Sequence, residues 1–268
     1  MKALVINQDA QTERMAFQEQ QLAALGIEFE RIPAVAIHGT DDPTYQAFFN
    51  TWQRPMTVAE VSCFFSHKSA WEMIYATNQP MLILEDDAWL DENIKSVLNE
   101  LSDLSDADYT TLEVARENRK KLVAKEVSAN YEHANLVRLY QGRSGAAGYV
   151  LWPSGADKLL KLISNGKIGL ADKFVSAVTD LNAYQVEPAM IIQLEQCAFH
   201  GITAPLEVKS TISTKTNTKL NFVDKAHYKL RRIIGEAKVG LTQLAHRKHA
   251  DRRIVALSDN FKNRATPS

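Results

Sequence analysis

Leu82-Ile83-Leu84-Glu85-Asp86-Asp87 is an apolar run that ends at once in three carboxylates. With Met81 it holds four apolar residues in a row, which predicts a strand at 81–84 covered on both faces. Side chains alternate along a strand, so the three acids can face one way only if the strand has ended. In open α/β sheets ligands bind beyond the carboxyl ends of the strands, which is where these residues fall. Crowded carboxylates repel one another and resist desolvation. A divalent cation removes that cost, and oxygen ligands suit Mg²⁺ or Mn²⁺. The competing reading is an acidic turn that caps the next helix through Asp87 or Asp91.

Working outward, the chain opens as strand, helix, strand. Ala3–Asn7 is apolar, and Thr12–Leu25 has helical spacing with Phe17, Leu22 and Leu25 on one face. Gly26 stops that helix, and residues 29–35 read as a second strand with Pro33 near its end. Residues 38–55 read as loop. Thr57-Val58-Ala59-Glu60 is a capping box, opening a helix that runs to Thr77. Further strands are expected at 109–114, 136–140 and 147–152, a helix at 153–163, and short β segments at 184–186 and 190–192. Residues 115–133 are polar and charged, which suits a mobile or substrate-facing insertion. The alternation indicates an α/β domain over residues 1–205. A basic, mainly helical extension follows at 206–268, with Gly235 and Gly240 as weak points.

The 268 residues are 45% hydrophobic and 24% charged, as in ordinary globular proteins. Two cysteines, Cys63 and Cys197, suggest no disulfide framework and point to a reducing compartment. The first apolar run is too short for a signal peptide, and no run reaches the length needed to cross a bilayer. A cytosolic protein is expected, with adherence to a membrane surface left open. The net charge of −1 hides an asymmetry. Residues 225–268 carry 11 Lys/Arg against three Asp/Glu, leaving 20 against 29 in residues 1–224. The basic end either folds back on the acidic body or meets anionic lipid.

Along the helix from Thr57, Glu60, Cys63, Phe64, His67 and Trp71 recur at three- and four-residue spacing and share a face. His67 on such a face is either a satisfied core residue or a functional one, and Cys63 reads as a small hydrophobe. There is no Walker loop and no Gly-x-Gly-x-x-Gly turn. A phosphate would then be held by metal, loop amides or basic side chains such as Arg14, which otherwise is a surface charge. His200 and His227 are further ligand candidates. A serine or cysteine triad finds no support.

Several segments, in order, resemble the glycosyltransferase family 25 pattern. They are Ile6-Asn7 with Arg14; Gln21-Leu22 to Gly26-Ile27; Phe29 to Val35 with Gly39; and Met56-Thr57 with Glu60, Cys63, Ser66-His67 and Trp71. Then come Ile83-Leu84-Glu85-Asp86-Asp87 and a third block through Gly145, Tyr149, Gly155-Ala156, Leu159-Leu160 and Ala171-Asp172. Ala147 and Ser62 depart from that pattern. The resemblance implies a GT-A-like fold with a Rossmann-like half that binds a nucleotide sugar. It also implies UDP-galactose as donor, Mn²⁺ or Mg²⁺ as cofactor and inversion at the anomeric carbon. It puts Asp87, with Glu85, at the metal, and Asn7, Arg14, Ala34, Val35, Ser66, His67 and Asp86 at the nucleotide sugar.

An inverting displacement needs a general base for the acceptor hydroxyl. Asp172 is the first candidate, following a loop with Gly166 and Gly169, and Asp86 and Glu85 stand behind it; otherwise Asp172 caps a helix. The expected acceptor is a saccharide of a bacterial lipopolysaccharide or lipooligosaccharide. Lys229, Arg231, Arg232, Arg247, Lys248, Arg252 and Arg253 would then hold the enzyme on anionic lipid at the inner membrane face. A metal-dependent nucleotidyltransferase and a non-catalytic nucleotide-sugar or glycan-binding module are the rival readings. No nucleic-acid motif is present.

Overall fold

The computed structural model describes residues 1–116, 119–143, 145–164, 166, 168–207 and 222–264, with backbone alone for 222–225 and 263–264. The strands are β1 (Ala3–Asn7), β2 (Phe29–Pro33), β3 (Met81–Glu85), β4 (Ala88–Leu90), β5 (Tyr109–Thr111), β6 (Lys121–Asn130), β7 (Asn135–Gln141), β8 (Gly148–Leu151), β9 (Ala183–Glu187), β10 (Ile191–Gln193) and β11 (Ala250–Arg253). The helices are α1 (Thr12–Leu25), α2 (Pro43–Phe48), α3 (Val58–Thr77), α4 (Ile94–Ser102), α5 (Pro153–Ser164), α6 (Ala171–Ala177), α7 (Phe222–His246) and α8 (Asn260–Arg264).

Among the described residues nine strands form one sheet in the order β11-β6-β7-β9-β5-β8-β3-β1-β2, and β4 pairs with β10 beside it. β2, β1 and β3 run parallel, as the strands of a Rossmann-like half do, whereas β8 joins β3 antiparallel. This is the α/β class expected from the sequence. Alternation of side chains explains the apolar strands. Leu4, Ile6 and Ile83 enter a core shared with α3, α5 and α6, whereas Ala3, Val5, Leu82 and Leu84 enter the core on the opposite face with Leu22, Val97 and Leu98. The capping box at Thr57 and Glu60 is formed, and Gly26 closes α1 in the left-handed conformation at φ 60°.

Three expectations need correction. The segment 38–55 contains α2, whose first turn is held by the Asp42 carboxylate accepting from the Thr44 and Tyr45 amides. The segment 115–133 holds a strand that its polar composition hides: β6 at Lys121–Asn130, buried through its first four residues and mostly exposed beyond, while Arg116 before it lines the cavity described below. The buried face of α1 is Met15, Gln18, Gln21 and Leu22, because the two glutamines spend their polar groups on backbone rather than on water.

Of the extension at 206–268, residues 208–221 and 265–268 lie outside the described residues. The rest adds a strand as well as helices: β11 extends the large sheet beside β6, and Phe261 of α8 packs edge-on against Trp89.

Candidate active site

Beyond the carboxyl ends of β1 and β3 lies a cavity of about 180 Å³. It is lined by Arg14 from α1, Ala34 and Val35 after β2, Cys63, Ser66 and His67 from α3, Glu85, Asp86 and Asp87 after β3, and Arg116, Gln193 and Glu195. A larger hollow of about 240 Å³ sits at the opposite end of β1, around Met1, Gly26 and Lys95, and gathers no comparable set of chemical groups. The parallel strands explain the convergence, since each delivers its following loop to the same edge.

The three carboxylates divide at once. Asp86 is buried and accepts hydrogen bonds from Asn7 Nδ2 at 2.8 Å and Arg14 Nη1 at 3.1 Å. Asn7 in turn accepts from Arg31 Nε at 2.9 Å, so one asparagine ties Asp86 to a second cation. Glu85 turns to α3, where its Oε1 lies 3.2 Å from His67 Nε2. The other ring nitrogen of His67 is 3.0 Å from the Tyr149 hydroxyl, which also accepts from Trp71 Nε1 at 2.8 Å. Asp87 is left over: its Oδ1 is sealed from solvent and has no hydrogen-bond partner among the described residues.

The electrostatics follow this division. Burial pushes the Asp87 carboxyl up to about 8, and the charges of Glu85 and Asp86 push the same way against Arg14. Asp86 is raised by burial as well, with Asn7 and Arg14 opposing. Burial, then Glu85 and Asp172, drives the Cys63 thiol well above its ordinary range. The orphaned Asp87 oxygen among acids is what a hard cation with oxygen ligands would fit. Cys63, His67 and Glu85 form a second possible ligand set, with one atom of each within 4.8 Å of the others.

Some residues singled out in the sequence do not line the cavity. Asn7 is buried behind it, holding Asp86. Asp172 stands in the first turn of α6, half-buried, 3.2 Å from Lys173, and its charge is felt at Cys63. His200 and His227 also lie outside the cavity lining. Ser66 accepts from the Val35 amide at 2.9 Å and Ser62 from the Ile37 amide at 3.3 Å, so α3 fixes the loop after β2.

Sequence reasoning passed over Arg116 and Glu195, which pair with each other across the cavity wall. It also passed over the role of Gln18 and Gln21, whose amide groups donate to the Asp86 and Ala88 carbonyls at 2.8–3.0 Å and hold the acidic turn. Two glutamines three apart on a helix facing an apolar sheet were the available signal.

Residues 1–175 match the family described as glycosyltransferase family 25 (LPS biosynthesis protein). The chain belongs to glycosyltransferase family 25. It is 28% identical over 218 residues to procollagen galactosyltransferase 2 of Homo sapiens, an alignment covering 75% of this chain and 32% of that protein. It is 26% identical over 220 residues to the lipooligosaccharide biosynthesis protein lic2B of Haemophilus influenzae, covering 77% of this chain and 80% of that one. This family 25 chain thus spans about a third of the length of the animal relative. Among solved structures it is similar to a glycosyltransferase involved in the glycosylation of the major capsid of PBCV-1, with TM-score 0.37 and 10% identity over 72% of this chain and 94% of that one.

Proposed function

We propose that this family 25 chain transfers galactose from UDP-galactose to a saccharide of a bacterial lipopolysaccharide or lipooligosaccharide, by a metal-assisted single displacement with inversion. The observation that carries the reading is the orphaned Asp87 oxygen at the end of β3, in a cavity that also presents Arg14 and Arg116. The name of the human relative supports galactose, and that of the Haemophilus relative supports a lipooligosaccharide acceptor. Such an enzyme would work at the inner face of the cytoplasmic membrane.

Asp87, with Glu85, would hold Mn²⁺ or Mg²⁺. When bound, the ion would act as a Lewis acid and stabilise charge on the departing diphosphate. The protein's own groups supply the rest of the donor site. Arg14 and Arg116 bring positive charge to the phosphates, and Ala34 and Val35 offer backbone to the nucleotide, with Ser66 fixing the Val35 amide. Asn7 acts through Asp86, keeping the acidic turn in place.

The base that takes the acceptor proton is Asp172, or Glu85 where Asp87 holds the ion without it. Asp172 follows the loop with Gly166 and Gly169 and stands in the first turn of α6, whereas Glu85 lines the cavity and lies 3.2 Å from His67. Asp86 is the weakest of the three, being engaged by Asn7 and Arg14.

A panel of UDP-sugars with Mn²⁺, scored for UDP release with and without saccharide acceptors, tests the reading. Metal-dependent release from UDP-galactose that disappears in Asp87→Asn is expected. Release from UDP-glucose or a UDP-N-acetylhexosamine alone would sink the donor assignment, and pyrophosphate release from CTP or UTP would favour a nucleotidyltransferase. The loss of turnover in Asp172→Asn against Glu85→Gln separates the two bases.

A further inference from the structure

The surface helix α7 is mounted inside out. A helix on a soluble protein normally buries its apolar stripe and turns its polar side to water. Here the side facing the body is polar or small. The Tyr228 hydroxyl donates to the Asn50 side chain, and Arg231 Nη1 donates to the Asn50 and Trp52 carbonyls at 2.7 and 2.8 Å. A Cβ on Gly235 would lie 2.7 Å from Gln53 Nε2. Gln243 Nε2 donates to Gln141 Oε1 at 2.8 Å, and His246 stacks on Tyr140 with ring centroids 3.9 Å apart.

At about 100° per residue, Leu230, Ile233, Ile234, Ala237, Leu241 and Leu244 fall on the opposite side of the helix. That side is exposed: Leu230 by 56%, Leu241 by 66% and Leu244 by 59%. An apolar stripe this continuous marks an interaction surface rather than scattered exposed side chains. Its flanks carry Lys229 and Lys238, with Arg247 just past its last turn, against Glu236, which pairs with Arg232 at 3.6 Å. Two copies paired through this face would set those cations against their own counterparts, which disfavours self-association. An anionic lipid surface matches both features, the apolar stripe and the basic flanks. Among the described residues no helix is long and apolar enough to cross a membrane, so contact through α7 would be interfacial.

We propose that α7 lies flat on an anionic bilayer, with Leu230, Ile233, Ile234, Leu241 and Leu244 in the boundary between headgroups and acyl chains. Lys229, Lys238 and Arg247 then lie at lipid phosphates. Arg231 and Arg253, expected from the sequence to face lipid, are engaged elsewhere: Arg231 on the 50–52 loop and Arg253 with Glu187. The loop that α7 rests on leads directly into α3, whose first turns line the cavity. The binding stands on the surface alone; its use in reaching a glycolipid acceptor rests on the proposed function.

The test is co-sedimentation of the full chain, without donor or acceptor, with phosphatidylcholine vesicles containing or lacking phosphatidylglycerol at low salt. Binding is expected to the anionic vesicles. Leu241→Glu with Leu244→Glu is expected to lower the partition coefficient at least about tenfold, with the melting temperature unchanged because both side chains are exposed. Lys229→Glu with Lys238→Glu is expected to lower it as well. The proposal is overturned if the wild-type chain ignores anionic vesicles, or if the double leucine variant binds them as well as the wild type does. A dimer that dissociates in that variant, without vesicle binding, would overturn it in favour of a second copy. UDP release with a soluble acceptor reads the catalytic assignment separately from all of these.

Discussion

At Asp108, just before β5, a buried carboxylate receives Lys158 Nζ at 2.6 Å and the Asn182 amide at 2.6 Å. At Asp87, just after β3, a carboxylate with one sealed oxygen receives no donor there, and its near neighbours in sequence are acids. Burial raises both groups. At Asp108 the bonds from Lys158, Ser154 and Asn182 outweigh it and hold the carboxyl below its usual range, whereas at Asp87 Glu85 and Asp86 add to it. The difference teaches that burial alone does not mark a site. A buried acid surrounded by donors serves the fold, whereas one crowded by other acids, as Asp87 is, marks a candidate site.

The largest test of this contrast is Asp87→Asn. Metal-dependent UDP release should fall on the order of 10³-fold while the melting temperature holds or rises. Retained turnover would remove Asp87 from the site. Next, saturating Mn²⁺ should stabilise the wild-type chain, by about 2.7 kcal/mol at a hundredfold excess over Kd, and leave Asp87→Asn unmoved in the same thermal scan.

Asp108→Asn should show the reverse pattern, with about 2 kcal/mol lost in urea unfolding and turnover per folded molecule unchanged. Its pH signature has a definite sign. Because the folded carboxyl is held low, its stabilisation is present above the ordinary carboxylate range and disappears as pH falls through the folded value. The variant should therefore lose less stability than the wild type on acidification. A wild-type acid limb no steeper than the variant's would break the comparison. The smallest effect expected is His67→Gln, which should cost about tenfold in turnover with little change in donor KM, as the loss of a group that orients Glu85.

The strand at 81–84 and its acidic end were legible because the information is local: an apolar run with acids directly behind it. The capping box at Thr57 was legible for the same reason. The division of the three acids was not, since it is made by Asn7, Arg14 and His67, brought in from α1, α3 and the end of β1. Neither was β6, where Lys121, Lys125 and Glu126 interrupt the apolar residues. β11 reads Ala-Asp-Arg-Arg, a charged sequence with strand geometry imposed by its partner β6. Gln18 and Gln21 look like surface residues, yet the unpaired carbonyls of the turn after β3 draw them inside.

β11 also bears on how the protein stays apart from its own kind. It covers the edge of β6 at Lys121–Ala124 through the pairs Arg253↔Lys121, Arg252↔Leu122, Asp251↔Val123 and Ala250↔Ala124, and Arg253 is clamped to Glu187 of β9. Stripped of that cover, Leu122 and Ala124 would stand on a bare sheet edge, the surface on which strands of separate molecules add to one another. A chain shortened just before β11, after His249, should therefore form β-rich aggregates, visible by light scattering and thioflavin fluorescence. The charged residues of β11, so unlike a strand by composition, suit an edge that must end there: they complete one sheet and offer poor purchase to the next.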